Sequence, residues 1–438
     1  MKKISIVLLT FLCSLSIFAQ DSIPSKKEVV KKGWSFGALP AIAFDTDMGF
    51  RYGGLTNFFD FGDGTMYPNY KQSIYMEWSH TTKGNDTKQL SYDSEYLIPK
   101  TRVSADLTYI TENALDFYGF NGYESTFTPE FAEEGDAAYR TRIYYRHARK
   151  MFRLKTDFQI NIIERKLRLY LGYAYYSNRI DSVDINTINK GKDEADMLSA
   201  AGSSLYANYL RDGVIPQDEA KGGDNNLFRV GLVYDTRDRE VNPSSGIWAE
   251  SFVQFAPNFL GNKQAFTKFV FTWRQYISVV PQRVIFAYRL DFQPKIGGDV
   301  PWYMLPYVYN TLKDRDGFGG GKNGRGILRN RVAGEGLFYG NIEIRTVPYR
   351  TVIANQNFYI GLVPFLDFGM VTQNYKVATN LVNPNYTIGQ DSEGLHSSAG
   401  LDAKFVINDN FVVSVAYGVA LDKRDGTSGM YIGLNYLF

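Results

Sequence analysis

The sequence has almost no cysteine. Cys13 is the only one and lies within the first twenty residues, so the rest of the chain can form neither a disulfide nor a cysteine metal site. Histidine is nearly as scarce. His80, His147 and His396 are the three, and none falls in a His-Glu-x-x-His pattern. The Gly-x-Ser-x-Gly turn of a serine hydrolase and the glycine pattern of a dinucleotide site are also missing. An enzyme, a resident metal and a cofactor are therefore not expected. Beyond residue 20 no segment approaches the roughly 18 consecutive apolar residues of a membrane-spanning helix. A net charge of +2 carries no excess for a polyanion, which leaves no nucleic-acid partner.

What the chain does have is aromatic side chains. They make up 16% of it, as 32 Tyr, 31 Phe and 5 Trp, alongside 40 Gly. Mean hydropathy is nevertheless only −0.27. The first residues read as a secretory leader over 1–19. Lys2 and Lys3 precede the apolar run Ile4 to Phe18, and Ala19 suits the last position before cleavage at Gln20. The run is too short for a retained anchor helix, which needs about 20 apolar residues. Leu12 stands before Cys13 where a lipoprotein leader wants a small residue. An exported chain rich in aromatics and glycine, with low mean hydropathy and no helical span, fits a transmembrane β-barrel, where only alternate residues meet lipid. A secreted β-sandwich is the competing reading on composition alone.

Periodicity separates the two. In residues 167–175, Leu167, Leu169, Leu171, Tyr173 and Tyr175 alternate with Arg168, Tyr170, Gly172 and Ala174. Ile74, Met76 and Trp78 share one face, and so do Phe411, Val413, Val415, Tyr417 and Val419. Such alternation is the signal of a strand. The intervening residues are often Gly, Ser, Asn or charged, which suits a wet lumen. Sixteen strands follow, near 35–44, 48–59, 71–82, 87–97, 102–111, 142–163, 167–178, 226–236, 246–257, 264–279, 283–293, 336–347, 357–368, 396–406, 410–421 and 429–438. The fold class is thus an all-β, antiparallel transmembrane barrel, occupying 34–438 after a short periplasmic segment at 20–33. If the first strand runs outward, the long connections 112–141, 179–225, 294–335 and 369–395 face outside. The tight ones at 98–101, 164–166, 280–282 and Asn408-Asp409 face the periplasm. That asymmetry is the expected one. The stretch 60–70 is long for a periplasmic turn, and a short helix is expected near 193–210.

Three stretches carry more specific information. The chain ends Tyr431-Ile432-Gly433-Leu434-Asn435-Tyr436-Leu437-Phe438. A terminal strand with an aromatic edge can pair with an open sheet by strand addition. Gly433, Tyr436 and Phe438 resemble the sorting signal of barrel precursors. The second stretch is Tyr234-Asp235-Thr236-Arg237-Asp238 followed by Asn242-Pro243-Ser244-Ser245-Gly246, a turn between two strands. The third is Gly317-Phe318-Gly319-Gly320-Gly321-Lys322-Asn323-Gly324-Arg325-Gly326. It is not a phosphate loop: Asp316 stands where the first glycine is required, and Asn323 where magnesium needs Ser or Thr.

These stretches together resemble the BamA/TamA-type assembly superfamily, over nearly the whole chain from Trp34 to Phe438. The second resembles the turn before that family's ninth strand. The third resembles its long sixth extracellular loop, which folds back into the barrel and carries an Arg-Gly pair, here Arg325-Gly326. Ile327 replaces the family's aromatic after the pair, and Gly324 its aliphatic before it. The resemblance implies that Arg325 pairs with Asp367 of Pro364-Phe365-Leu366-Asp367-Phe368-Gly369. Glu343, in Gly340-Asn341-Ile342-Glu343-Ile344-Arg345, is a second acceptor. Both acids alternate with apolar neighbours, so both are expected to face the lumen, where a lone arginine would be costly.

The expected location is the Gram-negative outer membrane, with lipid as the surrounding partner. The implied function is insertion, assembly or translocation of proteins, or of lipids, with nascent barrel proteins or an assembly-complex subunit as partners. Pro40 in the first strand removes a ladder donor and Gly433 weakens the last, which marks a seam. The roughly 14 residues between cleavage and Trp34 are too few for the periplasmic POTRA domains of that family, so this would be a POTRA-less member. Two other functions stay open: a passive channel or structural barrel, and an accessory subunit docking through the Lys-rich 26–32 or through 60–70.

Overall fold

The computed structural model describes residues 30–438 except 42, 46–48, 68, 83, 199–202, 241, 312–314, 354–355, 378–380, 408–410 and 435. The leader expected over 1–19, most of 20–33 with its lysines at 26 and 27, and the turn at Asn408-Asp409 lie outside the described residues.

Sixteen antiparallel strands form one sheet in chain order: β1 (Trp34–Pro40, resumed over Ala43–Asp45), β2 (Gly49–Asp60), β3 (Gln72–Thr81), β4 (Asp86–Ile98), β5 (Thr101–Asp116), β6 (Arg146–Ile163), β7 (Leu167–Asp181), β8 (Gly222–Asp235), β9 (Gly246–Ala256), β10 (Phe266–Val280), β11 (Val284–Gln293, resumed over Lys295–Gly298), β12 (Gly336–Ile353), β13 (Gln356–Gln373), β14 (His396–Ile407), β15 (Phe411–Ala420) and β16 (Ser428–Leu434). The two resumed pieces keep their parent strand's neighbour, so the 18 segments of the sheet reduce to sixteen strands. Each strand pairs with the next, from β1–β2 to β15–β16. Among the described residues no register joins β1 to β16.

The sheet curls into a barrel because its two faces differ. Leu154, Phe158, Leu171, Val230, Leu232, Leu290, Phe292, Ile344, Leu366 and Leu401 stay exposed on the outer face. The residues between them turn inward and are buried although charged, among them Arg153, Lys155, Asp157, Arg229, Glu250, Arg274, Arg289 and Lys404. An apolar girdle around a polar interior is the arrangement lipid imposes on a closed sheet. Contacts cross the interior: Arg102 of β5 lies between Asp93 of β4, at 2.8 Å, and Glu240 of the β8–β9 turn, at 2.9 Å.

Strand positions follow the expected ones to within a few residues, and the differences with a physical cause are these. β12 and β13 run six and five residues further toward and past their turn or loop than the alternation suggested. Pro348 lies where the ladder shifts register between Thr346 and Tyr349, and a bulge tolerates the missing N–H. β5 likewise continues to Asp116 through a register shift between Glu112 and Leu115. The helix expected near 193–210 is instead two short ones, α1 (Ile185–Asn189) and α2 (Leu205–Arg211), capped by the side chains of Asp184 and Ser204. The last strand stops at Leu434 rather than running to Phe438.

The turns at the end expected to face the periplasm are tight, apart from 61–71. Lys166 N donates to Ile163 O and Arg283 N to Val280 O, both at 3.0 Å, with Arg165 and Gln282 in the left-handed conformation of three-residue hairpins. The long 61–71 turn folds around buried Phe61, which packs on Phe59 and Tyr67, and Gly33 pairs across it with Gly62. The outer connections are long and fold together. Phe117, Tyr118 and Phe120 (β5–β6), Tyr206 and Tyr209 (β7–β8), Trp302, Tyr303 and Tyr307 (β11–β12), and Tyr375 and Tyr386 (β13–β14) share one buried cluster with Tyr170, Tyr176 and Trp248 of the wall. Aromatic side chains thus close the outer end of the lumen with an apolar core.

A pinned loop and an inward chain end

The β11–β12 connection, residues 299–335 and hereafter loop 6, enters the barrel. Arg325 and Ile327 are 2% and 1% exposed. Arg325 meets Asp367 of β13 three times: its N, Nε and Nη2 donate to the carboxylate, each at 2.9 Å. Its Nη1 lies 3.0 Å from Glu343 Oε1 of β12 and 3.5 Å from Asp402 Oδ2 of β14. The guanidinium also stacks on the Phe365 ring, 3.5 Å from the centroid. Glu343 and Asp367 point inward, while Ile344 and Leu366 point out. All four residues implied by the resemblance, Arg325, Gly326, Glu343 and Asp367, are thus brought together.

Gly326 explains why the pair is Arg-Gly. Its φ is +94°, and a Cβ there would lie 2.7 Å from Gly418 C of β15. A Cβ on Gly418 would in turn sit 2.6 Å from Arg325 O. Two glycines let loop backbone touch wall backbone, and Gly326 N donates to Tyr431 Oη of β16 at 3.0 Å. Asn323, where a nucleotide site needs Ser or Thr, holds the loop's own turn: Gly319 N donates to its Oδ1, and its Nδ2 reaches Asp316 O and Gly317 O.

Several partners were not read from the sequence. Asn341 Nδ2 donates to Asp367 Oδ1 and to Asn323 O, both at 2.8 Å. Arg345 Nε donates to Glu343 Oε2 at 2.9 Å, and Lys404 Nζ lies 2.7 Å from Asp402 Oδ2. Asn341 and Arg345 stand two residues either side of Glu343, so strand parity carried a signal for them. The cluster holds three cations, Arg325, Arg345 and Lys404, against three carboxylates, Glu343, Asp367 and Asp402. Neutrality of this kind is what makes burial of six charges tolerable.

Loop 6 is also tied through its other arginines. Arg329 Nη2 reaches Asp316 at 2.6 Å and Glu112 of β5 at 2.7 Å, and Arg149 of β6 meets the same two acids at 3.2 and 2.6 Å. Burial alone would raise the Asp316 carboxyl, but Arg329 and Arg149 outweigh it and hold it well below the ordinary carboxylate value. Arg331 is satisfied by main chain of two other loops: Arg424 O at 2.9 Å, Gly122 O at 2.7 Å and Ser125 O at 3.1 Å.

The second stretch singled out in the sequence forms a knotted periplasmic turn. Arg237 forks onto Asp235 at 3.0 and 3.1 Å and stacks 3.9 Å from Trp248, while Asp238 accepts Ser244 N and Ser245 N. Of the seam residues, Pro40 pairs with Gly54 and Ala41 N continues the ladder to Gly53 O at 3.0 Å, and Gly433 pairs with Ser414. Tyr436 and Phe438 are not on a strand edge. They lie inside, where Arg345 Nη2 donates to Phe438 O at 2.8 Å and stacks on the Tyr436 ring at 4.4 Å. The alternation of the last residues suits a strand, but a buried guanidinium offers their rings and carbonyl more than an unpaired edge does.

The fold and the site define an outer-membrane β-barrel whose sixth loop is pinned to the inner wall by a buried arginine. Residues 72–438 match the Omp85 superfamily domain, and the chain belongs to that superfamily. No curated protein shows detectable sequence similarity to it. Among solved structures, CdiB from Escherichia coli is similar with a TM-score of 0.53 at 10% identity, covering 92% of this chain and 62% of that one. A BamA from Haemophilus ducreyi lacking POTRA domains 1–3 gives 0.49 at 14% identity, covering 92% and 69%. CdiB from Acinetobacter baumannii gives 0.45 at 13%, covering 93% and 61%. At these identities the likeness is one of fold. The chain is a Gram-negative outer-membrane barrel.

Proposed function

We propose that this chain acts in the insertion, assembly or translocation of polypeptides at the outer membrane, with lipids as the alternative cargo, and that it works at its β1–β16 edges rather than through its lumen. The reading assigns it no catalytic step. The observation that carries it is the pair of edges: neither has a partner strand among the described residues, and Pro40 of β1 brings no backbone N–H to its ladder. Unpaired backbone groups in hydrocarbon each cost several kcal/mol. A client strand supplies the missing partners by strand addition. The aromatic core at the outer end supports this reading against a passive channel, because it fills that end with packed side chains of four connections.

The test is depletion followed by outer-membrane proteomics. Other barrels should fall in abundance. Unchanged barrels with altered uptake of small solutes would overturn the proposal in favour of a channel. Unchanged barrels with a stable co-purifying partner would overturn it in favour of an accessory subunit.

A further inference from the structure

Three lines of contact run from Arg325 on loop 6 to the inward chain end. The first passes through Glu343, which gives one oxygen to Arg325 Nη1 and the other to Arg345 Nε, and Arg345 reaches Phe438 O and the Tyr436 ring. The second passes through Asp367 and Asn341 to Arg289, whose Nε and Nη2 donate to Asn341 Oδ1 at 2.8 and 2.6 Å. The Arg289 guanidinium lies 5.2 Å from the Phe438 ring. The third passes through Asp402 and Lys404, whose ammonium lies 4.8 Å from the Tyr436 ring. Tyr276 completes the cage, 6.2 Å from Phe438 between ring centroids.

We propose that Tyr276, Arg289, Arg345 and Lys404 form a lumenal binding site for an extended aromatic-x-aromatic segment, filled here by the chain's own Tyr436 and Phe438, and that its occupancy is coupled to the docking of loop 6. The sign follows from charge. With Arg325 in place, Glu343 and Asp402 divide their attraction between it and two of the cage cations, Arg345 and Lys404. With Arg325 withdrawn, Glu343 and Asp402 are left to Arg345 and Lys404, and Asp367 to Asn341 and, beyond it, Arg289. Arg345 and Lys404 are then drawn more strongly toward the wall acids, in competition with Phe438 O and the two rings. Undocking loop 6 therefore loosens the chain end, and vacating the cage weakens the loop by the same factor. The free end can then lengthen β16, which in the occupied state offers its edge over Ser428–Leu434 alone. The coupling does not depend on what that edge handles.

The test uses Leu437→Cys as reporter in a Cys13→Ser background, with a charged maleimide on the folded protein in micelles. Labelling should be slow in that background. Arg345→Met should accelerate it at least tenfold, and Arg325→Ala, which does not touch the chain end, should do so by a similar factor. Asn341→Leu should give a smaller acceleration. The Arg325→Ala/Arg345→Met double variant should label no faster than the faster single. Retained heat-modifiable migration confirms that each barrel is folded, and Arg325→Lys serves if Arg325→Ala does not assemble. An Arg325 variant that assembles and labels at the parent rate, or a double variant whose accelerations multiply, overturns the proposal.

Discussion

Breaking the Arg325–Asp367 pair from either side should destabilise the barrel, and breaking it from both sides should do little more. The six-charge cluster is neutral. Arg325→Ala leaves it one negative charge in excess and Asp367→Ala one positive, in a place where all six groups are at most 2% exposed. Removing one partner of a buried pair costs about 3–5 kcal/mol, largely because the other charge is stranded. The double variant is neutral again. It loses the pair but strands nothing, and loop 6 keeps Gly326 N on Tyr431 and Asn341 on Asn323. Its expected loss is therefore also about 3–5 kcal/mol rather than a sum of about 6–10. At about 2 °C per kcal/mol for a large domain, each single variant should lower the midpoint of the heat-modifiable gel shift by about 6–10 °C, and the double by a similar amount. A double variant that falls by the sum of the singles would refute the reasoning, because the two side chains would then act independently.

Gly418→Ala should push loop 6 off β15, since its Cβ would lie 2.6 Å from Arg325 O. Overpacking of this kind costs about 1–3 kcal/mol, and trypsin should cleave sooner at Arg325, Arg329 or Arg331. A cleavage rate equal to wild type would argue against the close approach. Asp316 has a depressed carboxyl, so its contribution to stability is present above the ordinary value of 3.8 and is lost as pH falls below it. Wild type should lose midpoint between pH 4 and 2, and Asp316→Asn should start lower and lose less; parallel acid profiles would exclude Asp316 as the cause. In planar bilayers the wild-type barrel should pass little steady current, and deletion of 317–331 should raise it. A large open-state current in wild type would contradict the sealed outer end.

The strands were legible because a wall between lipid and a polar lumen imposes a period of two on every segment. Leu167 to Tyr175 show it, and so do Ile342 to Arg345. Glu343 and Asp367 were legible for the same reason, as acids set among apolar neighbours. The same parity would have led to Asn341 and Arg345, each an inward position beside Glu343. Arg331 had no such signal, since its acceptors are carbonyls of two other loops, and a backbone oxygen leaves no trace in the residue type. Tyr436 and Phe438 misled because they continue the alternation of β16 faithfully. What takes them off the edge is the cage of Arg289, Arg345 and Tyr276, contributed by strands 90 or more residues away in sequence, and periodicity along a strand cannot register that competition.

The filling of the lumen is lopsided, and the side left open bears on how the chain works. Inward residues of β7, β8, β9 and β12, such as Tyr170, Arg229, Glu250 and Asn341, are fully covered by loop 6 and its neighbours. On β3 and β4, Glu77, Gln89, Ser91 and Asp93 are only half-buried, although Ser73, Ser79 and Thr81 of the same β3 face are covered. The less covered inward residues therefore lie on the β1 side of the seam, while loop 6 and residues 436–438 line the wall from β12 to β16 on its other side. A barrel built for axial flow gains nothing from placing its free volume beside an edge and its plug over the outer exit. A barrel that receives a strand sideways needs that arrangement: a polar recess next to the edge, where a segment not yet paired keeps its backbone groups out of hydrocarbon. If the cage and loop 6 release together, the recess and a longer β16 become available in one step, so the two closures would act as a single gate on the seam.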